Sequence, residues 1–132
     1  MHIREDSKEY QILKEFLVKD EKPSIEIVEH RLGGGWMLAP AHVYATQDRI
    51  IIIRAHVVGM YRKVKVIKYD KVSEIRLDRG VHFYRLHFGI IGEAQETDDK
   101  RAWIYGLTHK DAMELVHFLN NMNVKVPLES DN

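Results

Sequence analysis

The side chains best placed to do chemistry lie in residues 57–65, where Val57-Val58-Gly59-Met60-Tyr61 runs into Arg62, Lys63 and Lys65. An apolar hairpin tip with cations just behind it is what a peripheral membrane contact uses. Aliphatic or aromatic groups enter the headgroup region, and Lys and Arg meet anionic phosphates. The same tip could dock onto another protein. In the plainest reading, Val57 and Tyr61 only extend two paired strands around Gly59, and Lys65 faces solvent. Met60, Tyr61, Arg62, Lys63 and Lys65 are therefore the candidate surface for an anion, a lipid or a protein partner.

Other patterns point away from catalysis. Gly33-Gly34-Gly35 is followed by no Gly-Lys-Ser/Thr and opens no helix, so it reads as a hairpin turn rather than a phosphate cradle. Of the eight histidines, His82 and His87 are an odd number of residues apart on a strand and point to opposite faces. His109 and His117 stand two helical turns apart, too far to share an ion, and no HExxH occurs. The acidic stretch Glu93–Asp99 lacks the order of carboxylates that wraps calcium. Ser7, Ser24, Ser73 and Ser130 have no nucleophile-elbow context. With no cysteine, thiol catalysis, disulfides, cysteine zinc sites and iron–sulfur clusters are excluded together. The expectation is no catalytic residue, no metal and no cofactor.

The elements that must position the hairpin follow from periodicity. Asp6 or Ser7 caps a helix in which Tyr10, Leu13, Phe16 and Leu17 recur at helical spacing, expected to end near Lys19 before Pro23. From Ile25 the pattern becomes β-type, with seven runs: 25–32, 36–46, 49–56, 61–69, 72–78, 82–91 and 101–107. The breaks between most of them are too short for helical crossovers, which predicts antiparallel hairpins. Tyr84, Leu86, Phe88 and Ile90 share one face of the sixth run, and Arg85 and His87 the other. Gly92–Lys100 reads as a longer polar loop. Thr108 and Asp111 form a capping signal for a second helix with Ala112, Leu115, Val116, Leu119 and Met122 on one stripe, and residues 129–132 read as a solvated tail.

The chain has 132 residues and a net charge of zero, which suits one domain with its own core. Between Arg49 and Gly89 ten Lys/Arg stand against three Asp/Glu, and the remainder holds ten against seventeen. Such blocks either make a dipolar surface or interleave once folded. The longest apolar run, Ile50–Ile53, is far below the roughly 20 residues of a membrane span, and the first residues carry no signal-peptide pattern. A cytoplasmic location, free or at the membrane periphery, is the expectation.

Seven short strands and a closing helix are the element order of pleckstrin-homology-like (PH-like) domains, and certain residues resemble the bacterial-type branch of that superfamily. Ala45-Thr46-Gln47-Asp48-Arg49-Ile50 is similar to its strand–turn–strand signature. Ile67-Lys68-Tyr69-Asp70-Lys71-Val72 is similar to its next feature, a strand ending in Ile-x-Tyr that turns directly into another, and Gly80 stands where a glycine commonly precedes a long amphipathic strand. The resemblance runs from about Tyr10 to Met122. It implies a mainly β fold, a PH-like seven-stranded antiparallel barrel or sandwich with a C-terminal capping helix and here an extra N-terminal helix, used for binding and assembly rather than catalysis. The first strand pair and its loop lack the spaced Lys and Arg of phosphoinositide-binding relatives, with only Arg31 basic in residues 31–36. The functional expectation is a binding or scaffold module that forms a homo-oligomer through strand edges or through its unlike charge blocks, with Pro40 shielding part of one edge. The alternative is a peripheral module that meets anionic lipid through the Met60 hairpin. A net-neutral chain without a recognised module gives nucleic-acid binding little support.

Overall fold

The computed structural model describes residues 3–30, 40–55, 62–92 and 103–124. The Gly33-Gly34-Gly35 turn, the Gly59 hairpin, the acidic loop from Glu93 and the tail at 129–132 lie outside them. Helix α1 (Lys8–Phe16) is capped by Ser7, whose hydroxyl accepts from the Tyr10 N–H at 3.0 Å. It ends three residues before the expected Lys19. The Glu21 carboxylate accepts the Val18 N–H, and the chain reverses at Asp20, whose φ of 69° is left-handed.

Seven strands follow: β1 (Ile25–Val28), β2 (His42–Ala45), β3 (Arg49–Ala55), β4 (Arg62–Lys68), β5 (Val72–Arg79), β6 (Tyr84–Ile90) and β7 (Trp103–Leu107). All pairings are antiparallel, in two sheets ordered β1-β2-β3-β4 and β5-β6-β7. The arrangement is the sandwich form of the expected fold; among the described residues no ladder joins β4 to β5 to close a barrel. Helix α2 (His109–Asn121) begins where expected, with the Thr108 hydroxyl accepting the Asp111 N–H at 3.1 Å. Pro40 stands just ahead of β2, which pairs on both sides, so it guards no sheet edge.

The main core lies between the sheets. Ile27, Ile50 and Ile52 of the first sheet meet Leu86, Phe88 and Ile104 of the second, and α2 closes one side with Leu115, Val116 and Leu119. A second core lies on the outer side of the four-stranded sheet, where Leu13 of α1 packs on Tyr44, Ile51 and Ile53, flanked by Val64 and Val66. β3 is therefore covered on both faces.

The sequence signatures prove to be fold devices. The Thr46 hydroxyl accepts the N–H groups of Asp48 and Arg49, fixing the β2–β3 turn. Tyr69 then clasps that turn from the β4–β5 corner, its hydroxyl donating to the Thr46 carbonyl at 2.7 Å and its N–H to the Asp48 carbonyl. Burial pushes the Tyr69 phenol well above its ordinary range, with Asp48 and Glu21 adding to the effect. In β7, a bulge sets Tyr105 and Gly106 against Arg85 alone. Gly106 takes a φ of 63° there and presents its carbonyl to the His30 N–H, tying the chain beyond β1 to β7.

Candidate functional site

Met60 and Tyr61 lie outside the described residues, but the cations behind them are placed on β4. Consecutive residues of a strand face opposite ways, so Arg62 shares the side of Val64 and Val66, toward α1, and Lys63 and Lys65 share the side of Ile67. The three cations do not form one patch. Arg62 is already engaged, with Nε 3.1 Å from Glu9 Oε2 of α1. Lys63 is exposed and Lys65 half-buried.

Glu9 joins a further cluster. His42 sits between two carboxylates, with Nδ1 within hydrogen-bond distance of Glu26 at 3.3 Å and Nε2 3.6 Å from Glu9. Burial pushes the Glu9 carboxyl up, but His42, a backbone hydrogen bond and Arg62 together outweigh it and hold the group below its ordinary value. Glu26 is buried and accepts from the Tyr44 hydroxyl at 2.8 Å and from the Arg4 N–H at 2.7 Å. Burial, with the Glu26 contact, raises the Tyr44 phenol. The cluster fastens the N-terminal segment to the four-stranded sheet.

The same interleaving recurs across the molecule. Arg49 donates to both oxygens of Glu21 and to the Phe16 carbonyl, and its bonds to Glu21, with those from Thr46 and Val18, hold the Glu21 carboxyl down at about 2. Arg54 makes a two-pronged contact with Glu29 at 2.8 and 3.0 Å. Glu29, with its side chain 1 % exposed, also accepts the N–H groups of Ala41 and Tyr105, so one carboxylate holds β2, β3 and β7 together. Three cations of the basic block thus pair with carboxylates of the acidic block within one chain. At these three places the blocks interleave.

The outer face of the three-stranded sheet was read from sequence only as the watered side of β6. There Trp103 of β7 lies against His87, ring centroids 4.3 Å apart, and beside Tyr105 at 5.8 Å. The guanidinium carbons of Arg76 and Arg85 stand 5.0 and 4.9 Å from the Trp103 centroid. Under them the indole is only 9 % exposed. The parity of Arg85 and His87 was visible in the sequence, and the β5–β6 register sets Arg76 beside His87. The arrival of Trp103 beside them required the β6–β7 register.

A groove of about 560 Å³ runs past Val18, Glu21, Asp48, Arg49, Tyr69 and Met122. Its polar walls are the mutually bonded turn residues already described, which leaves no poised nucleophile or base. Among the described residues no group of three His, Cys, Asp or Glu could hold a metal, and no helix is long and apolar enough to cross a membrane.

The profile of a family described as Bacterial PH domain matches residues 12–121. No curated protein matches the sequence. Among solved structures, the fold is similar to that of a DUF1696 family protein with a pleckstrin-homology domain from Shewanella loihica PV-4. The TM-score is 0.54 at 13 % identity, over 88 % of this chain and 89 % of that one.

Proposed function

This chain belongs to the bacterial PH domain family, and from that premise we propose that it is a non-catalytic binding and scaffolding module that associates with copies of itself through the open edges of β4 and β5. Binding modules of this fold present surfaces on a rigid sandwich, and nothing in the described site is arranged for bond-making. The observation that carries self-association is the strand order: among the described residues β4 pairs with β3 alone and β5 with β6 alone. An edge strand offers a row of N–H and C=O groups that a further strand can complete. At the opposite seam, by contrast, His30 and Glu29 already bond to β7. β4 carries Lys63, Lys65 and Lys68, whose like charges oppose direct pairing of two copies at low salt. Strand-to-strand association therefore strengthens as salt screens the lysines, whereas contact of this edge with acidic side chains of another copy weakens. Light scattering coupled to size-exclusion chromatography at tens of micromolar, at low and moderate salt, tests the proposal. The mass of a single chain under both conditions removes it.

A second reading, anionic lipid bound through the Met60 hairpin, is favoured by one observation, the exposed Lys63 on the strand leaving that hairpin. Lys63→Glu is its clean probe, since reversal at Arg62 would also break the Glu9 pair. Co-sedimentation with anionic vesicles at low salt should fall in Lys63→Glu. Wild-type protein that stays in the supernatant ends this reading.

A further inference from the structure

On the outer face of the three-stranded sheet, Arg76 and Arg85 are held in place by contacts that use only part of their bonding capacity. Both guanidinium groups stack close to the Trp103 ring. Both also direct Nε toward the single carboxylate of Asp78, at 3.6 and 2.9 Å. Ring and carboxylate together favour one placement of each guanidinium, which lowers the rotamer freedom that a ligand would otherwise remove. Among the described residues the Nη ends make no hydrogen bond, and both side chains are about half exposed, 56 % for Arg76 and 51 % for Arg85. No described helix lies over this face: α1 packs on the other sheet, and α2 buries its apolar stripe in the main core.

We propose that Arg76 and Arg85, braced over Trp103, form a binding site for a phosphoryl group. Two guanidinium forks on neighbouring strands present donors from two directions. A phosphoryl group, with three diverging oxygens and up to two negative charges, can answer both forks at once. A single carboxylate has two coplanar oxygens, and the Asp78 carboxylate already occupies the Nε side. Asp78 balances one charge of the pair, and Glu74, two residues before Arg76 on the same face, lies toward Gly89. The phosphoryl group can belong to a soluble phosphomonoester or to a lipid headgroup, since the donors meet the same oxygens in either case. The site lies on a sheet face rather than an edge, so it stands or falls independently of self-association.

The test follows the Trp103 indole N–H of the isotope-labelled full chain, assigned by comparison with Trp36→Phe, during titration with inorganic phosphate and then glycerol 3-phosphate against chloride of equal ionic strength. A saturable shift in the low millimolar range is expected. It should weaken by about tenfold in Arg76→Gln and in Arg85→Gln, and vanish in the double variant. A parallel arm measures recruitment to phosphatidylcholine vesicles with and without phosphatidic acid. Recruitment that needs phosphatidic acid and is lost in the double variant assigns the site to a lipid phosphate. A soluble-ligand response without recruitment assigns it to a free phosphomonoester. No saturable response in either arm, or a double variant that binds as the wild type does while keeping its melting temperature, overturns the proposal.

Discussion

The outer faces of the two sheets are finished in different ways. On the four-stranded sheet, β3 reads Ile50-Ile51-Ile52-Ile53 and all four side chains are buried, two toward the main core and two toward α1. On the three-stranded sheet, β6 alternates, with Leu86 and Phe88 inward and Arg85 and His87 outward. A strand apolar on both faces requires cover on both, whereas an alternating one tolerates water on one. α1 supplies that cover. At nine residues it is too short to be stable alone, so helix and sheet face must fold together. Where no helix is demanded, the face is left for arginines and a tryptophan. One face is therefore spent on folding, and the other is covered by no helix among the described residues.

The strongest way to break this contrast is to disturb the seam that joins the two sheets. Glu29→Ala leaves Arg54, only 14 % exposed, without its carboxylate and strips acceptors from Ala41 and Tyr105. A loss of about 3–5 kcal/mol is expected by chemical denaturation. Next, Leu13→Ala should cost about 2–5 kcal/mol, because Leu13 is fully buried on the covered face. An unchanged denaturation midpoint would mean that α1 is not docked.

Acid should act on the same covered side. The Glu21 carboxyl titrates at about 2 when folded, against an ordinary 4.5. Its contribution, about 3 kcal/mol, is present above pH 4.5 and is lost as pH falls from there toward 2. In Glu21→Gln that dependence should be missing from a stability–pH series. The smallest effect belongs to the uncovered face. Arg76→Gln should change stability by no more than about 1 kcal/mol, since half-exposed ion pairs contribute little. A loss comparable to that of Leu13→Ala would erase the distinction between the two faces.

Local signals in the sequence were legible where their partners are local. Ser7 and Thr108 cap helices whose bonded N–H groups lie three residues on, and the alternation of β6 is written in its own residues. The turn signature from Thr46 to Arg49 announced its strand pair for the same reason. The docking of α1 was also present, in the unbroken run Ile50–Ile53, which was read as a strand and weighed against a membrane span but not as a strand needing cover on both faces. The charged network was out of reach. Glu26 bonds to Arg4, His42 and Tyr44, and Arg62 to a glutamate 53 positions earlier, and no spacing rule connects such residues before the chain is folded. As a result the hairpin cations looked like one patch, and the Trp103 face, assembled from three strands, was not foreseen as a site.

The Glu29 carboxylate also bears on the order of folding events. Its bonding partners lie 12, 25 and 76 residues farther along the chain. The last of these cannot arrive until β7 exists, and closing so long a loop is entropically slow. During synthesis the first four strands can emerge and pair while Glu29 is still hydrated, and its burial waits for nearly the whole domain. Contacts formed after the folding barrier govern how fast a protein comes apart rather than how fast it assembles. Glu29→Gln should therefore speed unfolding in stopped-flow denaturant jumps and leave the refolding rate almost unchanged, and a slowed refolding arm would place this seam in the nucleus.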